Sequence, residues 1–277
     1  MGRVVIITGG AGGMGLATAK LMGRDHIPVL YDNRADRLRA AGRALAELGI
    51  EATTVHGDVT DPGRVAELFD TAAGLGAIAA VVHTAGVSPS MGDAEHVVRT
   101  NALGTLHVNE TFYRHAESGA TIVNVASMAA HLIPEELVPV DAYALAFTDP
   151  RRFAAELVAA CAIGGDAASG LAYGISKHFV RWYSSAQAER FNGRGLRIVS
   201  VSPGSTDTEM GRLEERAGAG QMVVDAAVPR WGTAEEMAEL FAFCASPRAG
   251  YLTGTDILND GGVVASVRAR AGRAAAS

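Results

Sequence analysis

Short apolar runs rich in Val and Ile alternate along the chain with stretches whose apolar positions recur every three or four residues. The runs fall at 4–8, 29–32, 52–56, 78–83, 121–126, 197–201 and 256–258, bounded by Gly, Asp or Ser. Strands covered by helices on both faces read as continuous apolar runs, whereas half-exposed strands alternate. The pattern therefore predicts a seven-stranded, mainly parallel α/β sheet with helices on both faces. Two helices show their starts: Asp61 and Pro62 supply an N-cap and an N1 proline for 62–74, and Thr233, followed by Glu235 and Glu236, opens 234–245. Right-handed crossovers make such a sheet doubly wound, with ligands at the carboxyl ends of its strands.

Two stretches break the rhythm. Residues 131–170 exceed what a strand-to-helix connection requires and contain TDPRRFAAELVAACAIGG, a helix capped by Asp149 with Pro150 at N1 and Gly164 as its stop. Phe153, Leu157 and Cys161 form an apolar stripe on that helix, and the protein's own body is the expected cover. The end, SVRARAGRAAAS (266–277), has no apolar periodicity and reads as a solvated, flexible tail. Residues 1–265 are expected to form one domain.

With 277 residues, 48% hydrophobic and 19% charged, the chain has enough apolar material for one large core. Its net charge of −6 argues against nucleic acid or an anionic membrane as partner, since either calls for a basic field. Cys161 and Cys244 lack CxxC or paired-His spacing, which suggests reduced thiols, no metal site and a cytoplasmic location. MGRVVIITGG lacks a signal peptide's long apolar core, and no apolar run is expected to reach the length of a membrane span.

TGGAGGMG (8–15) follows the first strand and opens the first helix, the context in which a glycine fingerprint carries weight. Gly9, Gly13 and Gly15 allow a tight turn, close approach of a pyrophosphate and exposure of helix N–H groups to its charge. Asp32 ends the second strand, where a carboxylate accepts hydrogen bonds from an adenosine ribose. Asp58, in GDVT, fits the adenine side and a turn cap equally well. Tyr173 and Lys177 stand four apart in YGISK and share a helix face. An ammonium about 4 Å from a phenol, at an effective dielectric near 20, supplies about 4 kcal/mol, which would lower a pKa of roughly 10 by about three units.

Together these segments resemble the short-chain dehydrogenase/reductase family over nearly all of residues 3–262. TGGAGGMG reads as the family's TGxxxGxG, YGISK as its YxxxK, and Asn101 in VVRTNALGT as its helix asparagine. Ser127, after the strand IVNVA, looks like its catalytic serine. SPGSTDT (202–208) resembles the segment whose threonines hold the nicotinamide carboxamide, and LNDGG (258–262) resembles the closing DGG. The resemblance implies a Rossmann-type fold and a catalytic set of Asn101, Ser127, Tyr173 and Lys177. It also implies dinucleotide contacts from the loop residues Thr8, Gly9, Gly13, Met14 and Gly15, from Asp32, Asp58, Val59, Ala85 and Gly86, and from Pro203, Gly204, Thr206 and Thr208, beside Tyr173 and Lys177 themselves. In the implied roles Tyr173 exchanges a proton with the substrate oxygen, and Lys177 lowers the phenol pKa and bonds the nicotinamide ribose. Ser127 donates to the substrate oxygen, and Asn101 holds a water linking Lys177 to solvent.

Two departures stand out. HTAG (83–86) replaces the usual NNAG, which bears on the structural hydrogen bonds of His83. The long stretch between Ser127 and Tyr173 is similar to the insertion of the bacterial 3α-hydroxysteroid dehydrogenase/carbonyl reductase subgroup.

The expected activity is NAD(H)-dependent interconversion of a secondary alcohol and a ketone. Asp32 would repel a 2′-phosphate and the glycine loop carries no Lys or Arg; Arg34 is the cation that could offset this. Met210, Leu213, Met222 and Val223 fit a wall closing over a ligand and packing onto the sheet equally well; with no arginine placed to clamp an anion, a lipophilic substrate such as a steroid or terpenoid is favoured. The alternatives are a 3-oxoacyl-thioester reductase and a dinucleotide-sensing regulator without turnover. The 131–170 insertion is expected at the active-site rim. There it would favour a homodimer through the sheet edge near 252–264 over a tetramer built on the helices bearing Asn101 and Tyr173.

Overall fold

In the computed structural model, which describes residues 2–276, seven parallel strands form one sheet in the order β3-β2-β1-β4-β5-β6-β7. They are β1 (Gly2–Thr8), β2 (Ile27–Asp32), β3 (Thr53–His56), β4 (Gly76–His83), β5 (Thr121–Val125), β6 (Arg197–Pro203) and β7 (Asp256–Asn259). Successive side chains of a strand point to opposite faces. Val4 and Ile6 accordingly join Val29, Tyr31, Val81, Ile122 and Ile198 in one core, while Val5 and Ile7 join Leu30, Val82, Val123 and Val199 in the other. Two cores demand apolar residues at every position, hence the unbroken runs. Each fully buried Val or Ile contributes about 1.5–3 kcal/mol over an exposed one.

From β1 the chain winds outward through β2 to β3, then returns to β4 on the other side of β1. The carboxyl ends of β1 and β4 therefore flank a crevice where connections diverge. The predicted caps form. Asp61 Oδ1 accepts from Gly63 N at 2.8 Å and Arg64 N at 3.2 Å, starting Pro62–Leu75. Thr233 and Glu236 make a reciprocal capping box at the start of Ala234–Ala245.

The insertion departs from its expected outline at one end. Asp149 Oδ1 accepts from Arg152 N at 3.0 Å and starts Pro150–Cys161, but a 3-10 turn, Ala162–Ala167, follows and leads into Ala168–Ala186. The left-handed residue there is Gly165 (φ 51°), not Gly164. Pro150–Ala186 is, by length and composition, long and apolar enough to cross a membrane, contrary to the expectation that no run reaches that length. The turn at Gly165 divides it, and Phe153, Leu157, Cys161, Ile175 and Phe179 are fully buried in the core. The Tyr143 ring meets Phe179 edge-on at 5.2 Å and lies tilted 5.0 Å from Trp182, and Phe147 lies 5.8 Å from Tyr183, so the insertion covers one side of the Tyr173 helix.

The chain end also differs from its expected form. Val263–Ala276 is a helix where a solvated tail was expected. Val263 and Val264 are buried, Arg268 Nη2 donates to His131 O at 3.1 Å, and Arg270 pairs with Asp225. Val263 and Val264 in the first turn are buried and none of residues 265–273 is, so no apolar period marks that stretch; Ala and Arg favour the helix by propensity.

Candidate active site

β1 delivers the chain into the glycine loop at Thr8. Gly9 (φ 64°) and Gly13 (φ 48°) take left-handed conformations, and a Cβ on Gly15 would fall 2.2 Å from Gly9 O. The turn can close onto its helix only without that side chain. The Gly13–Met22 helix has no side-chain cap and no acidic residue in its first turn. Its positive end is thus left for an anion, which suits a dinucleotide pyrophosphate.

The loop forms one end of a groove of about 850 Å³ that Gly9, Gly13, Met14 and Gly15 share with Asp32, Asp58, Val59, Ala85, Gly86 and Thr208. Arg34 N at 3.0 Å and Ala11 N at 3.3 Å donate to the Asp32 carboxylate, which fixes it at the groove wall. Asp58 lines the groove and acts as a turn cap, accepting from Thr60 N at 2.8 Å. Thr208 lines the groove and caps Glu209–Glu214, accepting from Gly211 N at 3.1 Å. Met210 and Leu213 also line it. Met222 and Val223 do not: with Gly204 they line a separate cavity of about 410 Å³. Pro203 ends β6, and Thr206 is buried with its hydroxyl on Gly204 O at 3.2 Å.

Thr8 is wholly buried, and its hydroxyl begins a chain of hydrogen bonds through His83. Thr105 Oγ1 donates to Asn101 O at 2.7 Å, so it accepts from His83 Nε2 at 3.1 Å; His83 Nδ1 then accepts from Thr8 Oγ1 at 2.7 Å, and Thr8 accepts from Ala85 N at 3.2 Å. The tautomer follows from its neighbours. Burial, with Lys177 adding to it, pushes the His83 pKa down to about 3, so the ring is neutral near pH 7. The departure from NNAG thus leaves a fully bonded residue.

Ser127 follows β5, and Tyr173 and Lys177 sit on the Ala168–Ala186 helix. The Ser127 hydroxyl accepts from Ala129 N at 3.2 Å and stands near enough to the Tyr173 phenol to act on its acidity. Lys177 Nζ lies 5.9 Å from the Tyr173 ring centroid and donates to Val125 O at 2.8 Å. A Cβ on Gly86 would meet Asn101 Oδ1 at 3.0 Å and Lys177 Nζ at 3.3 Å, so the groove wall touches Asn101 and Lys177 through this glycine. Asn101 occupies a π-turn, Arg99–Leu103, of the kind often found at functional sites. Its carboxamide accepts from Val87 N at 2.9 Å and donates to Val87 O at 3.0 Å and Ser176 Oγ at 3.2 Å, fastening the turn after β4 to the Tyr173 helix.

The electrostatics correct one expectation. Burial raises the Tyr173 pKa above its ordinary value; the Ser127 hydroxyl opposes this and the Glu214 carboxylate adds to it. Lys177 was expected to lower the phenol, but burial brings its own pKa down to about 8, and its ammonium is spent on a backbone carbonyl.

Sequence reasoning missed Arg37 and Glu209, which line the groove and pair across it, Arg37 Nη2 standing 2.6 Å from both carboxylate oxygens. Arg37 lies five residues past Asp32, in the first turn of the helix Ala35–Ala46, a position that could have drawn attention to it. Glu214, which accepts from Ser90 N at 3.1 Å, carries no comparable signal.

Residues 3–144 match a family model described as short chain dehydrogenase, and 154–264 match one described as enoyl-(acyl carrier protein) reductase. A short-chain dehydrogenase/reductase of Alternaria brassicicola is 30% identical over 96% of this chain and 97% of its own. The 3-alpha-hydroxysteroid dehydrogenase/carbonyl reductase of Comamonas testosteroni is 27% identical over 96% and 98%. A short chain dehydrogenase from Burkholderia cenocepacia J2315, solved in complex with NADP, has the same fold, with TM-score 0.76 and 24% identity over 95% of this chain and 98% of that one. With both halves of the chain matched and a relative aligned along its whole length, this protein belongs to the short-chain dehydrogenase/reductase family, whose members are oxidoreductases that bind a nicotinamide dinucleotide.

Proposed function

We propose that the protein interconverts a lipophilic secondary alcohol and its ketone with NAD(H). The observation that carries the reading is buried Lys177 beside Tyr173, with Ser127 acting on the same phenol, joined through Gly86 to a groove that a glycine loop lines. Nicotinamide, when bound, accepts or supplies the hydride. In reduction Tyr173 gives its phenolic proton to the ketone oxygen while Ser127 donates a hydrogen bond that polarises the same carbonyl. A phenol with a raised pKa holds that proton at neutral pH, so the chain's own electrostatics favour reduction there; oxidation calls for the phenolate and should speed up as pH rises. Lys177 would turn from Val125 O toward the nicotinamide ribose, and Asn101, beside that amine, is suited to hold a water linking it to solvent.

Asp32 at the groove wall supports NAD(H), as does the engagement of nearby guanidiniums by carboxylates, Arg34 with Asp36 at 3.6 Å and Arg37 with Glu209. Met210, Leu213 and Met91 on the groove support an apolar substrate, as do relatives described as hydroxysteroid dehydrogenases of Comamonas testosteroni and Eggerthella lenta. The test is a screen of secondary alcohols, including steroids, terpenols and dihydrodiols, with NAD⁺ and NADH absorbance as readout. Turnover confined to 3-oxoacyl thioesters would favour the rival reductase; dinucleotide binding without turnover on any alcohol or ketone would favour a sensor.

A further inference from the structure

The helix Glu209–Glu214 buries none of its residues and lies along the groove, which Glu209, Met210 and Leu213 help to line. Its first residue, Glu209, reaches Arg37 on the far wall, and its last, Glu214, reaches Ser90 N. Arg37 stands where its charge acts on Asp32 as well as on Glu209, at the end of the groove fitted for the adenosine ribose. It can face either the helix above or a ligand below. We infer that Glu209 is a cofactor-selecting residue: by holding the Arg37 guanidinium it denies a 2′-phosphate the cation it would need, and so tilts the groove toward the unphosphorylated dinucleotide. This rests on the NAD(H) reading and extends it to a residue remote in sequence from β2.

The chemistry is direct. Arg37 presents a planar fork suited to a carboxylate or a phosphate, and one guanidinium nitrogen already serves both oxygens of Glu209. A 2′-phosphate carries nearly two negative charges and would stand between Asp32 and Glu209, both of which repel it. Removing the Glu209 charge relieves one repulsion and frees one attraction together. Both groups are partly solvated, Arg37 at 36% and Glu209 at 73% side-chain exposure, so screening limits the effect to about fivefold.

The test compares wild type, Glu209→Gln, Arg37→Leu and the double variant. Titration calorimetry would use two unreactive probes, adenosine 5′-monophosphate and adenosine 2′,5′-bisphosphate, and kcat/KM would be measured with NADH and NADPH. In Glu209→Gln the preference for the 2′-phosphorylated probe should rise about fivefold, and the NADPH/NADH ratio with it, while the double variant falls back to the level of Arg37→Leu. An unchanged ratio in Glu209→Gln, or a gain that survives loss of Arg37, overturns the inference. A wild type that already prefers NADPH would instead sink the NAD(H) reading, and the variant-to-wild-type comparison would still decide the role of Glu209.

Discussion

At the proposed adenosine end of the groove, Arg34, Arg37, Asp36 and Glu209 stand at the surface and pair with one another, while at the proposed catalytic end Lys177, His83 and Asn101 are almost wholly buried. Water screens the first group, so its ion pairs contribute little to stability. Burial dominates the second, holding Lys177 near 8 and His83 near 3. Substitutions at the adenosine end should therefore tune a preference, whereas those at the catalytic end should remove an activity or a slice of stability.

The sharpest challenge to that contrast is Tyr173→Phe, which deletes the transferable proton and keeps the ring. Turnover should drop by roughly 10²–10⁴ with NADH affinity nearly intact by fluorescence titration; a variant keeping more than about a tenth of wild-type turnover would show that Tyr173 is not the acid. Next comes acid stability. Below pH 6.5 the unfolded chain protonates His83, but the folded one does not until about pH 3, so stability drains as pH falls through that window. Urea unfolding of His83→Asn should lose on the order of 3 kcal/mol less across the same range; parallel profiles would contradict the buried, neutral histidine.

Lys177 acts at the other extreme of pH. Unfolded, it keeps its proton to about pH 10.5; folded, it loses it near 8, so its contribution to stability rises with pH between those values. The rise should be on the order of 2 kcal/mol and should vanish in Lys177→Met, measured by urea titration of the protein without dinucleotide. Gly15→Ala should weaken NADH binding at least about tenfold by forcing a methyl group against Gly9 O; unchanged affinity would mean that the loop yields. The smallest effect concerns assembly. With Tyr143 and Phe147 covering one side of the Tyr173 helix, we propose a homodimer through the edge near 252–264, and light scattering showing a tetramer would count against it.

Much of this was legible in the sequence because it rests on local rules. Buried parallel strands need unbroken apolar runs, and Asp61, Asp149 and Thr233 cap the helices they precede. The loop glycines and the Tyr173–Lys177 spacing are local as well. What escaped depends on contacts between distant positions. The charge on Glu209 gains meaning only when its helix folds over Arg37, and Met222 parts from Met210 because the chain between them leaves the groove. The lowered Lys177 pKa escaped for a related reason: spacing reveals a neighbour, but not how little water surrounds it. The end helix was hidden because arginine tethers to His131 O and Asp225 leave no apolar period.

The hydrogen-bond chain through His83 runs one way only, from Ala85 N to the Asn101 carbonyl, each hydroxyl giving once and receiving once. Position 83 therefore asks for one acceptor facing β1 and one donor facing the Asn101 turn. Asparagine and neutral histidine both meet that request, and this is how HTAG can stand where NNAG is usual without disturbing its surroundings. Protonated histidine does not, because two donors would then face Thr8 and Thr105 and the sequence of gifts would have to reverse. Since bonds in such a series polarise one another, a single proton at His83 would be felt at both ends, in the glycine loop and in the Asn101 turn that is fastened to the Tyr173 helix.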